Sequence, residues 1–304
     1  MLVELLSVRT DDGCLLDAAY WPASGAAAAL AEACVLIHGA GGNGFSPTQR
    51  ALAEGLAQAG LAVLTLSTRG HDLVSRTAHP SGPRLGGVAF EDLDEAPLDL
   101  AAGVRLLAER GHRRIGLAGH SLGAVKAVLT AAGSEPACLI ALSPPRFAHA
   151  ALLAAANGAR FRTDFAAARR LADAGQAEAL MRVQAPIPSL FAAGQYVKKY
   201  GPEDRYDVVR LLPAVRCPAL LLFGSLEAHD GGAVSATAAA APDLAARCEN
   251  LSVVEIAGAD HVYTDRIPQV VEAICAWLRG ASAMPAPGGG QPASAVHLGG
   301  GAPG

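Results

Sequence analysis

Short apolar runs and amphipathic stretches follow one another along most of the chain. Two alternating segments meet at Asp11-Asp12-Gly13, which predicts a β-hairpin over residues 1 to 20. An Ala-rich linker, Ala23 to Ala31, leads to Cys34-Val35-Leu36-Ile37, an unbroken apolar run that reads as a buried strand. Helix and strand then alternate. Gln49 to Ala59 reads as helix, Leu61 to Leu66 as strand, and Asp92 to Arg110 as mainly helix, with Pro97 in its first turn or at a kink. Arg114 to Ala118 and Ala137 to Leu142 read as further strands, separated by a helix that opens at Ala124. This rhythm predicts a mostly parallel twisted sheet with helices on both faces.

Between Pro144 and Arg216 the strand rhythm stops. His149 to Ala156, Asp164 to Ala174 and Ala177 to Val183 read as helices separated by Gly and Pro breakers. Strands resume at Cys217 to Gly224 and Leu251 to Ile256, and a helix from Arg266 to Leu278 follows. The expected organisation is a core of residues 1–143 and 217–280, a helical insertion at 144–216, and a Gly/Pro/Ala-rich tail at 281–304 expected to be disordered.

A hydrophobic content of 51% with 17% charged residues suits a sizeable buried sheet in a chain of 304 residues. The net charge of -4, with no long run of Lys or Arg, argues against a nucleic-acid partner. Met1 to Leu6 lacks a basic start and a long apolar stretch, and no segment has the character of a membrane span. The expectation is a cytoplasmic enzyme acting on a small molecule. The six scattered cysteines lack metal-ligand spacing and are expected to be reduced thiols. Neither a metal nor an organic cofactor is implied.

Candidate chemistry centres on Gly119-His120-Ser121-Leu122-Gly123, a G-x-S-x-G run between a predicted strand and a predicted helix. A serine at the tip of so sharp a turn needs positive φ and crowds neighbouring backbones, so glycine two residues either side has a steric reason. Such a turn presents Ser121 as a nucleophile and directs the Leu122 N–H at the oxygen of an attacked carbonyl. The glycine-rich exit His38-Gly39-Ala40-Gly41-Gly42-Asn43-Gly44 offers a second donor, the N–H of Ala40 or alternatively of Gly41. Two carboxylates, Glu227 and Asp230, follow the strand that ends at Gly224, and Glu227, three residues beyond it, is preferred as the acid. His261 follows the last strand and is the candidate base, whereas His120 is expected to point away from the chemistry. Phe147, Phe161, Phe165, Phe191 and Tyr196 are candidates to line a pocket, with simple packing the more common fate of any one of them. Lys198-Lys199-Tyr200 would either meet an anionic substrate group or form a solvated face.

From about His38 to Leu278 the chain resembles an α/β-hydrolase. The elbow carries the resemblance, together with Arg69-Gly70-His71-Asp72 after the fourth strand and Leu142-Ser143-Pro144-Pro145 at the exit of the sixth. The order Ser121, Glu227, His261 is similar to the nucleophile, acid and base order of that family. The resemblance implies an α/β-hydrolase fold with a helical cap after the sixth strand, and a serine esterase working through an acyl-enzyme. Glu227 stands where many relatives would carry Asp. Thioesterase, lactonase, amidase and C–C hydrolase activities use the same constellation, and a non-catalytic ligand-binding homologue is the reading from a different class.

Overall fold

The structure is a computed structural model that describes residues 2–25 and 29–280. The expected tail disorder at 281–304 and part of the Ala-rich linker therefore lie outside the described residues.

The hairpin strands β1 (Glu4–Arg9) and β2 (Leu15–Trp21) pair antiparallel about the predicted turn. The chain continues through β3 (Ala33–Ile37), α1 (Pro47–Gln58) and β4 (Ala62–Leu66). A small hairpin, β5 (Ser75–Thr77) with β6 (Arg84–Gly86), leaves no trace in the apolar pattern, since its strands are only three residues long. After a 3-10 turn at Leu93–Glu95 comes α2 (Ala96–Glu109), which takes its proline in the first turn, where no N–H is missed. Then follow β7 (Ile115–His120), α3 (Leu122–Ala132) and β8 (Leu139–Leu142).

The inserted stretch contains α4 (His149–Ala154), α5 (Gly158–Asp173), β9 (Leu180–Val183), β10 (Ser189–Ala192), α6 (Ala193–Tyr200) and α7 (Val208–Leu211). Here one expectation fails. Ala177 to Val183 is not helical, because Leu180–Val183 pairs antiparallel with Ser189–Ala192. Along this run Val183 is buried while Leu180 is exposed, and so short an apolar segment takes its form from a partner strand rather than from its own periodicity.

The chain closes with β11 (Ala219–Gly224), α8 (Ala233–Arg247), β12 (Leu251–Ile256) and α9 (Ile267–Leu278). Eight strands form one sheet in the order β1-β2-β4-β3-β7-β8-β11-β12, with the six from β4 to β12 parallel. Its two faces explain the unbroken apolar runs. In β3, Ala33, Val35 and Ile37 join one core with residues of α2 and α3, whereas Cys34 and Leu36 join another with α1 and α9. Every side chain of that strand is therefore withdrawn from water. The six cysteines are free thiols, five of them buried. Among the described residues no helix is long and apolar enough to cross a membrane.

Candidate active site

The turn from β7 to α3 places Ser121 at φ 55° and ψ -122°, a conformation that an L-residue adopts only under constraint. Its N–H donates to the Leu142 carbonyl at 2.8 Å, tying the turn to the neighbouring strand. A Cβ on Gly119 would collide with the Gly123 carbonyl, and one on Gly123 with the Ile37 carbonyl. The spacing of the motif is thus a packing requirement at the crossing of β3, β7 and α3.

Three side chains distant in sequence converge there. Ser121 Oγ lies 3.0 Å from His261 Nε2, and His261 Nδ1 lies 2.6 Å from Glu227 Oε2. Glu227 is buried, whereas the His261 side chain is 43% exposed and so open to a substrate. The other carboxylate oxygen, Oε1, accepts the Gly224 N–H at 2.9 Å and the Ser143 hydroxyl. Ser143 Oγ is in turn 2.6 Å from the buried Tyr263 hydroxyl. Burial works against ionising Glu227, but the bonds from His261, Ser143 and Gly224 hold its carboxyl below the usual carboxylate range. Asp230 is exposed at the cavity rim and caps its own loop by accepting the Gly232 N–H at 2.7 Å. The structure brings Glu227, and not Asp230, to His261.

Ala40 and Leu122 flank Ser121 on the wall of one cavity of about 280 Å³. Among the described residues no protein acceptor takes the N–H of either. The inserted stretch contributes Pro145, Phe147, Pro186, Ile187 and Tyr200 to the same cavity, facing Ala233 and Val234 of α8. Of the five aromatic candidates only Phe147 lines it. Phe161, Phe165, Phe191 and Tyr196 pack on one another instead, with ring centroids 5.3 to 6.4 Å apart.

Two further expectations meet the structure here. His120 stays off the cavity wall, and its Nε2 donates to the His261 carbonyl at 2.6 Å, because the elbow and the loop after β12 lie side by side. Lys198 and Lys199 neither meet the cavity nor form a free solvated face. Lys198 binds Asp92 and Asp94 at 2.6 and 2.8 Å, and Lys199 is buried 3.4 Å from Glu91.

Ser143 and His120 lie in runs that carry the resemblance, but their supporting roles, and Tyr263 altogether, go unmarked in the sequence pattern. Ser143 and Tyr263 have positive φ, but no composition signal marks them. The Arg69-Gly70-His71-Asp72 run is also explained structurally. Arg69 is buried and binds Asp99 at 2.7 Å and Asp12 at 2.9 Å, clamping the first hairpin to α2. Among the described residues no group of three His, Cys, Asp or Glu side chains could hold a metal ion.

The model of the alpha/beta hydrolase family matches residues 34–273. No curated protein matches the sequence. Among solved structures, Est1E from Butyrivibrio proteoclasticus is similar at 18% identity, covering 91% of this chain and 98% of its own, with a TM-score of 0.61. The alpha/beta hydrolase GrgF from Penicillium sp. sh18 is similar at 15% identity over 93% and 100%, with a TM-score of 0.66. The Pyrococcus furiosus esterase PF2001 is similar at 19% identity over 93% and 92%, with a TM-score of 0.59. At such identities the likeness is one of fold.

Proposed function

The chain belongs to the alpha/beta hydrolase family, and from that premise we propose that it is a serine hydrolase cleaving a carboxylic ester or closely related acyl compound. The observation that carries the reading is the unbroken line of hydrogen bonds from Ser121 through His261 to buried Glu227 at the wall of an apolar cavity.

In this reading Ser121 Oγ attacks the acyl carbon while His261 Nε2 takes its proton. Glu227 holds the Nδ1–H and stabilises the imidazolium that forms. The N–H groups of Ala40 and Leu122 receive the negative charge that develops on the carbonyl oxygen. His261 then returns its proton to the leaving oxygen, leaving the acyl group on Ser121. Water, deprotonated by His261, releases the acid and regenerates the serine. Residues 144–216 act as a cap, since their Pro145, Phe147, Pro186, Ile187 and Tyr200 supply apolar wall but no fixed charge, which suits an uncharged acyl or alcohol group.

Incubation with a fluorophosphonate probe, followed by peptide mass spectrometry, tests the assignment. The expected result is a single adduct on Ser121, abolished in Ser121→Ala. A folded wild-type protein that stays unlabelled and inert to nitrophenyl esters would overturn it.

A further inference from the structure

Beneath the candidate oxyanion loop lies a buried ion cluster that the catalytic reading leaves unused. Glu91, Lys126 and Lys199 are each no more than 3% exposed, and both lysines meet the one carboxylate. Lys126 is the nearer partner of Glu91, with Lys199 3.4 Å from the other oxygen, so two buried ammonium groups share one carboxylate and their desolvation cost calls for further partners.

Lys126 Nζ also donates to Thr68 Oγ1 at 2.9 Å. Thr68 Oγ1 lies 3.1 Å from His38 Nε2, and the Thr68 N–H donates to that same nitrogen at 3.2 Å. On the far side of the ring, His38 Nδ1 is 2.9 Å from the Gly39 carbonyl oxygen.

The donor inventory orders every proton in this chain. An ammonium can only donate, so Thr68 Oγ1 accepts from Lys126 and turns its single hydrogen to His38. His38 Nε2 then faces two donors and must present its lone pair. The ring proton sits on Nδ1 and is donated to the Gly39 oxygen. That oxygen and the Ala40 N–H are opposite ends of one planar peptide, so holding the first aims the second. Donation into the carbonyl also polarises the amide and strengthens its N–H as a donor. Burial, aided by the Lys126 charge, pushes the His38 pKa down to about 3, which keeps the ring neutral.

We propose that Lys126, acting through the Thr68 hydroxyl, is a positioning residue that adds a second tether to His38 Nε2 beside the Thr68 N–H, fixes the orientation of the Nδ1-protonated ring and so aims the Ala40 N–H at the developing oxyanion. This rests on the serine hydrolase reading above. Through Glu91 the same network reaches Lys199 of α6, next to Tyr200 of the cavity wall.

Thr68→Val keeps the side-chain shape and every charge but deletes the relaying hydroxyl. With a nitrophenyl ester, kcat is expected to fall about 10- to 100-fold, part of the loss seen when an oxyanion donor is removed outright. KM should stay within about twofold, and Thr68→Ser should restore kcat. Lys126→Met leaves Glu91 paired with Lys199, should show the same loss confined to kcat, and carries the comparison if Thr68→Val does not fold. Long-range proton–nitrogen spectra of histidine-labelled wild type should show His38 protonated at Nδ1 only. Protonation at Nε2, a loss carried by KM, or wild-type kcat in the folded variants each overturn the proposal while ester turnover by wild type upholds the hydrolase reading. A wild type inert to both fluorophosphonate and esters overturns the hydrolase reading, and the oxyanion role with it.

Discussion

The imidazole of His120 donates from Nε2 to the backbone oxygen of His261 at 2.6 Å, so the residue before the candidate nucleophile anchors the loop of the candidate base. Their ring centroids are 5.0 Å apart. Burial first, and then the neighbouring His261 charge, lower the His120 pKa to about 4, so it serves as a neutral donor. His120→Gln, which presents an N–H near the position of Nε2, should retain most ester turnover, whereas His120→Ala should lose it through a displaced His261. Steady-state kinetics on both variants would check this, and equal activity in the two would show that the anchor is dispensable.

Neutral His38 and His120 also shape acid stability. Their pKa values, about 3 and about 4, lie below the ordinary value of 6.5, so between these limits the unfolded chain binds protons that the folded one refuses. Their contribution is complete above about pH 6.5 and is lost as pH falls towards 4, at up to about 1.4 kcal/mol per pH unit for each ring. Calorimetric melting at about pH 7 and about pH 5 should show a clear drop in Tm, smaller in His120→Gln. An identical drop in wild type and variant would remove His120 from this account.

Glu227 meets His261 at 2.6 Å while Asp230 is turned to its own loop. Glu227→Gln should therefore lower kcat by about 10³- to 10⁴-fold, as when a triad acid is neutralised, and Asp230→Asn should change it by less than about twofold. The reverse ranking would move the acid to Asp230.

Phe147 borders the cavity, whereas Phe165 packs among His149, Phe161 and Tyr196. Phe147→Ala should shift kcat/KM towards longer acyl or alcohol chains, by roughly 1–3 kcal/mol for each additional methylene that the widened wall accommodates. Phe165→Ala should lower the urea midpoint and leave the chain-length profile alone. A profile moved equally by both would deny Phe147 a direct place in the pocket wall.

Some of this was legible without coordinates because the physical demand is local. Buried parallel strands expose neither face, so β3 and β11 appear as unbroken apolar runs. The elbow needs glycine at two fixed offsets from Ser121, because Gly119 and Gly123 touch backbone with no room for a side chain. The family model matches residues 34–273.

Direction across the fold was not legible. Lys126 reads as one cation in an apolar helix, and only packing shows it wedged between Glu91 and Thr68. Lys198 and Lys199 read alike, yet one lies on a surface carboxylate pair and the other inside the protein. The sequence by itself determined the order along the chain of the main sheet's strands and most of its helices, though not α8 or the β5–β6 hairpin, together with the sharp turn at Ser121 and the residue types able to assist it. The tertiary structure decided which carboxylate reaches His261, which aromatic faces the cavity and which residues hold the oxyanion loop. Those outcomes depend on where side chains far apart in the chain point once packed, and no local periodicity encodes that direction.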